Sequence, residues 1–380
     1  METATEKRRF GTAKTIIFSL LPTLVLLISA EVVLRIHAEV EAEAERGKAL
    51  PPLAERNLYQ QEDPVLGYSL MPGYSAKGIE INSLGFRGAE IERRKPPNTF
   101  RIVSIGDSTT FGLAGAQCPY PAQLQQLLAE RSATKRVEVI NGGVEGYNSV
   151  SALRLLEHRV AELQPDLITV FVGWNDIYNT DPFRANLPAL HRSLTRTDAT
   201  RAVGNWAGAT AGLLDKLYLA RFIRRIIFLE APRMRARMQA VDSGKGRSIH
   251  PHMTAQYRSR LEGMVAFIRE TGAKPVLMTL PTVLSDSMNE KALGIVHYPV
   301  WAQSDHALFL DVVKAFNSTI REVTGFTGAT LVDNSGFIDS LGSEKEKLFF
   351  DSLHMYCEGN SLLARNIHRE LKYRNLMPVN

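Results

Sequence analysis

Four short stretches of this sequence combine residue types that could do chemistry together: Gly106-Asp107-Ser108, Asn141-Gly142-Gly143, Gly173-Trp174-Asn175-Asp176 and Asp351-Ser352-Leu353-His354. Serine-based acyl transfer needs a hydroxyl nucleophile and an imidazole to take its proton. It also needs a carboxylate to fix the imidazole tautomer, and N–H donors for the oxyanion. A serine, a histidine three residues after an aspartate, glycines and an asparagine amide supply each part. Each stretch alone has a plainer explanation. Glycine followed by Asp-Ser fits a strand-to-helix turn capped by either residue, and the others fit turn glycines, an Asx turn and a surface loop.

An alternation of strands and helices would bring the four together. Apolar, β-branched runs predict strands over 100–105, 136–140, 166–172, 274–280 and 330–332. Helices are predicted over 122–131, 152–163, 258–271, 306–323 and 360–373. Such an alternation implies a parallel sheet covered on both faces, with its chemistry at the carboxyl ends of the strands. The first three stretches sit at such ends, and the fourth precedes the last helix.

In this order the stretches resemble the blocks of the SGNH (GDSL) hydrolase family: G-D-S-T at 106–109, N-G-G-V-E-G at 141–146, G-W-N-D at 173–176 and D-S-L-H at 351–354. The resemblance covers about 100–178 and 275–371, and extends to a bacterial subgroup in which a membrane anchor and an N-S-L-G-F-R-G segment, here 82–88, precede the catalytic domain. It implies a flavodoxin-like three-layer α/β/α fold over 100–375 with a central parallel sheet and a shallow, solvent-facing site. It further implies Ser108 as nucleophile, His354 as general base and Asp351 as the carboxylate that orients it. The oxyanion hole would be the backbone N–H of Ser108, the backbone N–H of Gly143 and the side-chain amide of Asn175. Gly143 is preferred to Gly142 because it lies two residues after Asn141. No metal and no cofactor is implied. Thr109 stands where leucine is commoner, and the insertion at 178–250 is long.

Other residues take secondary roles. Asp107 and Asp176 are read as braces of their loops, and Trp174 either faces substrate or packs. His250 and His252, two apart without nearby carboxylates, make a poor metal site. Cys118 follows the nucleophile loop and Cys357 follows His354, so both belong at the rim of one site; a disulfide and two free thiols are both open readings. The segment 81–88 is read as short strands or turns over the main domain, in preference to a loop contributed to a site.

Ahead of the domain, Lys7, Arg8, Arg9 and Lys14 precede an apolar stretch at 15–36 in which 14 of 22 residues are Leu, Ile, Val or Phe. That length matches the ~20 residues a bilayer requires. The basic flank, residues 1–14, stays cytoplasmic by the positive-inside rule, so the rest faces outward, in the periplasm or at the cell surface. A transmembrane signal anchor at 15–36 is preferred to a cleaved signal peptide. Ala42-Glu43-Ala44, the loosest cleavage candidate, is acidic and far from the apolar core. Residues 39–46 read as a helical stalk, within a stalk and extension spanning 37–99.

Composition sets the remaining bounds. A hydrophobic share of 44% and a charged share of 22% describe a globular chain with a full core. The net charge of +5 is uneven: residues 178–250 hold 13 Lys/Arg against five Asp/Glu, so the remainder is slightly acidic. No zinc spacing or aromatic-basic repeat accompanies this charge, and nucleic acid is not an expected partner. Within the insertion, 213–238 reads as a helix broken at Pro232. Its apolar arc carries Tyr218, Phe222, Ile226 and Leu229, opposite Lys216, Arg221, Arg224 and Arg225. It either packs on the core or caps the site and meets anionic lipid.

The expected protein is a membrane-anchored, extracytoplasmic serine esterase acting on acyl esters, such as O-acetyl groups of a polysaccharide or lipid. The same triad would serve an acyltransferase, a lipase or a thioesterase. A non-catalytic surface-assembly protein could keep the fold, but has no chemical need to keep Ser108, Asp351, His354 and Asn175 together.

Overall fold

The computed structural model describes residue 22 and residues 26–33, 57–113, 118–129, 135–183 and 249–378. They belong to two units. In the first, residues 26–33 are helical, with Leu26, Ile28 and Val33 more than half exposed. No helix among the described residues is long and apolar enough to cross a membrane. The rest of the expected anchor at 15–36, apart from residue 22, lies outside the described residues, as do the stalk at 39–46 and the amphipathic helix at 213–238.

The second unit begins with two small antiparallel pairs, β1 (Gln60–Asp63) with β2 (Gly67–Leu70) and β3 (Ser75–Ala76) with β4 (Ile79–Glu80). The main sheet follows: β5 (Thr99–Gly106), β6 (Arg136–Gly143), β7 (Leu167–Phe171), β8 (Lys274–Met278) and β9 (Thr330–Val332). All neighbours are parallel, in the order β6-β5-β7-β8-β9. Counted from β5 as the first strand, that is the 2-1-3-4-5 order of flavodoxin-like sheets. The central strands are buried on both faces, including every residue of β7, which explains their unbroken apolar runs.

The helices are α1 (Ser108–Phe111), α2 (Tyr120–Ala129), α3 (Ser149–Leu155), α4 (Trp174–Asn179), α5 (Ala255–Glu270), α6 (Glu290–Gly294), α7 (His306–Thr327), α8 (Asn334–Asp339) and α9 (Cys357–Tyr373). Right-handed crossovers put α2 on one face and α3, α5 and α7 on the other, because the path reverses direction between β6 and β7. After β9 the chain returns to the first face, where α9 packs on α2. Helix boundaries follow local chemistry. Asp305 caps α7 by accepting from Leu308 N at 3.0 Å, and Gly328, with φ of +66°, ends it. Phe309, Val313, Phe316, Ile320 and Val323 form its buried stripe. Asn148 starts α3 earlier than the apolar period suggests, accepting from Val150 N and Ser151 N. A π turn at Leu156–Val160 then continues the chain.

One charged group is fully buried in the sheet. Arg101, in β5, donates through all five of its N–H groups. Nε and Nη2 reach Glu138 Oε2 on β6 at 2.9 and 2.7 Å. Nη1 reaches the carbonyls of Arg93 and Leu163, and Nη2 that of Glu92. The guanidinium thus ties the amino-terminal ends of β5 and β6 to the entering chain and to the turn before β7. Removing Arg101 would leave Glu138 with only the exposed Arg136, 2.9 Å from its Oε1, and three carbonyls without this donor, at a cost of about 3–5 kcal/mol. Arg101→Met is therefore expected to lower the unfolding free energy by about that much in urea titrations of the full-length protein. A loss below about 1 kcal/mol, the worth of an exposed pair, would contradict the role given to this cluster.

Candidate active site

Where β5 ends, Gly106 leads through Asp107 straight into α1, whose first residue is Ser108. A Cβ at Gly106 would overlap Thr110 Oγ1 and the Phe171 carbonyl, so only glycine lets the chain turn this tightly against β7. Asp107 is the N-cap: its Oδ1 accepts from Thr109 N at 3.0 Å and Thr109 Oγ1 at 2.7 Å. Burial pushes its carboxyl up, and the Thr109 bonds and the charge of His354 offset only part of that. At this point the strand order reverses, the position where open α/β sheets bind ligands.

The base arrives from the far end of the chain. Asp351 Oδ1 accepts from Leu353 N at 2.9 Å and His354 N at 2.7 Å, folding 351–354 into a tight turn. That turn brings His354 Nδ1 to 2.6 Å from Asp351 Oδ2 and His354 Nε2 to 2.8 Å from Ser108 Oγ. An ionised carboxylate only accepts, so the ring proton sits on Nδ1 and Nε2 keeps its lone pair for the Ser108 hydroxyl proton. Burial alone would raise the Asp351 carboxyl. The adjacent His354 charge and three hydrogen bonds outweigh it and hold the group below its ordinary value. Phe350 lies parallel to the imidazole at 5.7 Å. Ser352 locks the turn to the neighbouring loop, donating to His297 O and accepting from His297 N.

One of the three expected oxyanion donors is already engaged. Ser108 N–H has no acceptor among the described residues. Asn175 Nδ2 spends one hydrogen on Tyr147 O at 2.9 Å and has a second. Gly143, the expected third donor, gives its N–H to Asn141 Oδ1 at 2.9 Å. Its missing side chain serves packing, because a Cβ there would overlap Phe111 N and Thr110 C of α1. The glycine with an unclaimed N–H is Gly146, three residues on, in a turn with φ of +81° beside Tyr147. Nothing in the spacing of N-G-G-V-E-G separates a glycine needed for packing from one needed for backbone direction.

Two further residues hold the carboxyl end of α1. Asn141 Nδ2 donates to Thr110 O and Phe111 O at 3.0 and 3.2 Å, closing the carboxyl end of α1. Arg87 donates to Phe111 O at 2.7 Å and to Gly112 O, and its guanidinium lies 4.4 Å from the centre of the Phe111 ring. Burial lowers the Arg87 pKa to about 10, which leaves it charged at neutral pH. Its backbone N–H bonds Asn141 O at 3.1 Å, so the N-S-L-G-F-R-G segment does cover the domain, and braces α1 as well.

The secondary expectations resolve as follows. Asp176 braces α3, accepting from Ser149 N at 2.8 Å and Ser149 Oγ at 2.5 Å. Burial pushes its pKa up to about 6, against the pull of Ser149 and Arg260. Trp174 is buried and packs. His252 N donates to His250 Nδ1. Cys118 and Cys357 form a disulfide with Cα atoms 4.7 Å apart, and Gln123 Nε2 bonds the carbonyls of both. A shallow cleft opens beside Ser108 and His354, walled by Leu113, Phe171, Leu353, Met355 and Leu363.

The model of the GDSL-like Lipase/Acylhydrolase family matches residues 104–362, more than half of the chain. Among solved structures, similarity extends to the acetylxylan esterase Axe2 from Geobacillus stearothermophilus, at 15% identity and a TM-score of 0.43, over 72% of this chain and 94% of that one. The lipase/acylhydrolase from Enterococcus faecalis gives 19% identity and a TM-score of 0.42, over 72% and 96%. No curated protein matches the chain.

The depressed Asp351 carboxyl makes a pH prediction. Its share of stability is fully present above the ~3.9 of an unfolded aspartate and is lost as pH falls through the lower folded value. Asp351→Asn lacks that share. The gap between wild-type and variant unfolding free energies, measured by urea titration, should therefore narrow as pH drops from about 5 to about 3. A gap independent of pH would refute the assignment of Asp351 as the ionised partner of His354.

Proposed function

The chain belongs to the GDSL-like lipase/acylhydrolase family, and from that premise we propose that it is a membrane-anchored, extracytoplasmic serine esterase. Its substrates are acyl esters, foremost O-acetyl groups, on a carbohydrate or lipid. The observation that carries the reading is the continuous chain from Ser108 Oγ through His354 to Asp351, at 2.8 and 2.6 Å.

In this mechanism Ser108 Oγ attacks the ester carbonyl carbon while His354 Nε2 takes the hydroxyl proton. Negative charge collects on the former carbonyl oxygen, which meets the N–H groups of Ser108 and Gly146 and the free amide hydrogen of Asn175. When the tetrahedral intermediate collapses, His354 Nε2–H gives its proton to the departing alcohol. Water then attacks the acyl-serine by the same route in reverse and releases the acid. Asp351 stays ionised throughout and holds Nδ1–H. The apolar wall formed by Leu113, Met355 and Leu363 suits the hydrocarbon side of a short acyl group.

Three features support the placement outside the cytosol. The stretch at 15–36 is apolar over a bilayer's length behind a basic flank. Its described part, 26–33, is helical with exposed aliphatic side chains. The Cys118–Cys357 disulfide belongs to an oxidising compartment.

Ser108→Ala and His354→Ala should each reduce nitrophenyl acetate hydrolysis by the full-length protein at least ~10³-fold, with thermal unfolding unchanged. Full activity in either purified variant would overturn the proposal. Across a chain-length series of nitrophenyl esters, acetate should turn over fastest. A preference for long chains would identify a lipase instead.

A further inference from the structure

Gly146 lies in a loop, 144–147, with no helix or strand to hold it. Its N–H shares a planar trans peptide unit with the carbonyl of Glu145, so the two point in opposite directions. Whatever fixes the Glu145 carbonyl therefore aims the Gly146 N–H. The Glu145 carbonyl accepts from Tyr68 Oη at 2.9 Å, and from Gln60 Nε2 at 3.4 Å. Tyr68 is held in turn: its own carbonyl accepts from Tyr147 Oη at 2.6 Å, and the two rings meet edge-on at 5.1 Å. Tyr59, on the same extension, donates to the Glu145 carboxylate. On the other side of the loop, Asn175 Nδ2 bonds Tyr147 O. The fit is close, since a Cβ at Gly146 would lie 2.7 Å from Tyr68 Oη. Burial, with the Glu145 charge behind it, raises the Tyr68 phenol well above its ordinary value, so it stays a donor across the working pH range.

We infer that Tyr68 is a positioning residue of the oxyanion hole: its hydroxyl, by holding the Glu145 carbonyl, directs the Gly146 N–H at the substrate oxygen. The segment 57–99, which precedes the family match at 104, thereby belongs to the catalytic apparatus. The inference rests on the esterase reading above.

The test compares full-length Tyr68→Phe with wild type and with Ser108→Ala, using nitrophenyl acetate and phenylboronic acid, which forms a tetrahedral adduct on an active serine. Removing the hydroxyl releases the peptide plane without deleting the N–H, so the loss should fall somewhat short of the ~10²–10³ for a deleted donor. The expected result for Tyr68→Phe is a fall in kcat of about 10–100-fold with KM within about twofold of wild type, and a matching rise in the boronate inhibition constant. An inhibition constant reports only folded, competent enzyme, so partial unfolding cannot imitate that rise. Wild-type kcat, or a fall in kcat with the boronate constant unchanged, would overturn the inference while inactive Ser108→Ala left the esterase reading standing. Activity in Ser108→Ala would overturn both.

Discussion

A helix of four residues cannot hold its own position. One turn fixes several dihedrals for a single hydrogen bond, so nucleation alone is unfavourable. Yet α1 carries Ser108, the proposed nucleophile, and the candidate site depends on where it sits. Its placement comes wholly from neighbours. Asp107 closes its amino end, and Asn141 and Arg87 take the carbonyls at its carboxyl end. Gly106 and Gly143 let its backbone come closer than any side chain would allow. Tyr59 stacks on Phe111 with ring centres 5.3 Å apart. These partners come from the sheet, from its edge strand and from the segment before the domain. Ser108 is thus set by long-range contacts.

Three aspartates crowd this end of the sheet, and their surroundings separate their roles. Asp107 and Asp176 are pushed up by burial, whereas Asp351 is held down by the imidazole beside it and by two backbone N–H groups. Of the three, Asp351 is the one that touches the ring, 2.6 Å from Nδ1, and a carboxylate held ionised there fixes the Nδ1–H tautomer. Asp176 contributes differently. Because its folded value of about 6 exceeds that of an unfolded aspartate, ionising it costs stability as pH rises through that interval. Its two bonds from Ser149 and the charge of Arg260 offset part of this cost.

The strands, the main helices and the meeting of Ser108, His354 and Asp351 were legible in the sequence because each is written in local stretches. Apolar runs mark β5 and β7, and an aspartate three residues before a histidine makes the turn at 351–354. What escaped is written across distance. Arg87 meets Phe111, and Tyr68 meets Glu145, 77 positions away, and neither pairing leaves a trace in local spacing. The glycines of N-G-G-V-E-G show the limit most sharply. Gly142 has only the Ser104 carbonyl in tight range of an added Cβ, Gly143 needs room for α1, and Gly146 needs a positive φ. All are the same letter, and geometry alone assigns the free N–H to Gly146. The cysteines stayed open for a similar reason, since pairing depends on a separation of Cα atoms that sequence does not contain.

That disulfide bears on the triad itself. Ser108 and His354 are 246 residues apart, so the hydrogen bond between them closes nearly the whole domain. The bridge spans 239 residues, from the segment after α1 to the first residue of α9, three positions beyond His354. The two closures are almost the same loop. Loop-closure entropy grows only as the logarithm of length, so once the cysteines are joined, bringing Ser108 to His354 requires ordering only the short stretches between each residue and its neighbouring cysteine. Gln123, bonding both cysteine carbonyls, holds the two cysteines against α2. The parallel sheet brings the ends of β5 and β7 together by strand pairing, but no strand carries His354. For that residue the covalent link and the packing of α9 on α2 take the part that strand register plays for the rest of the site.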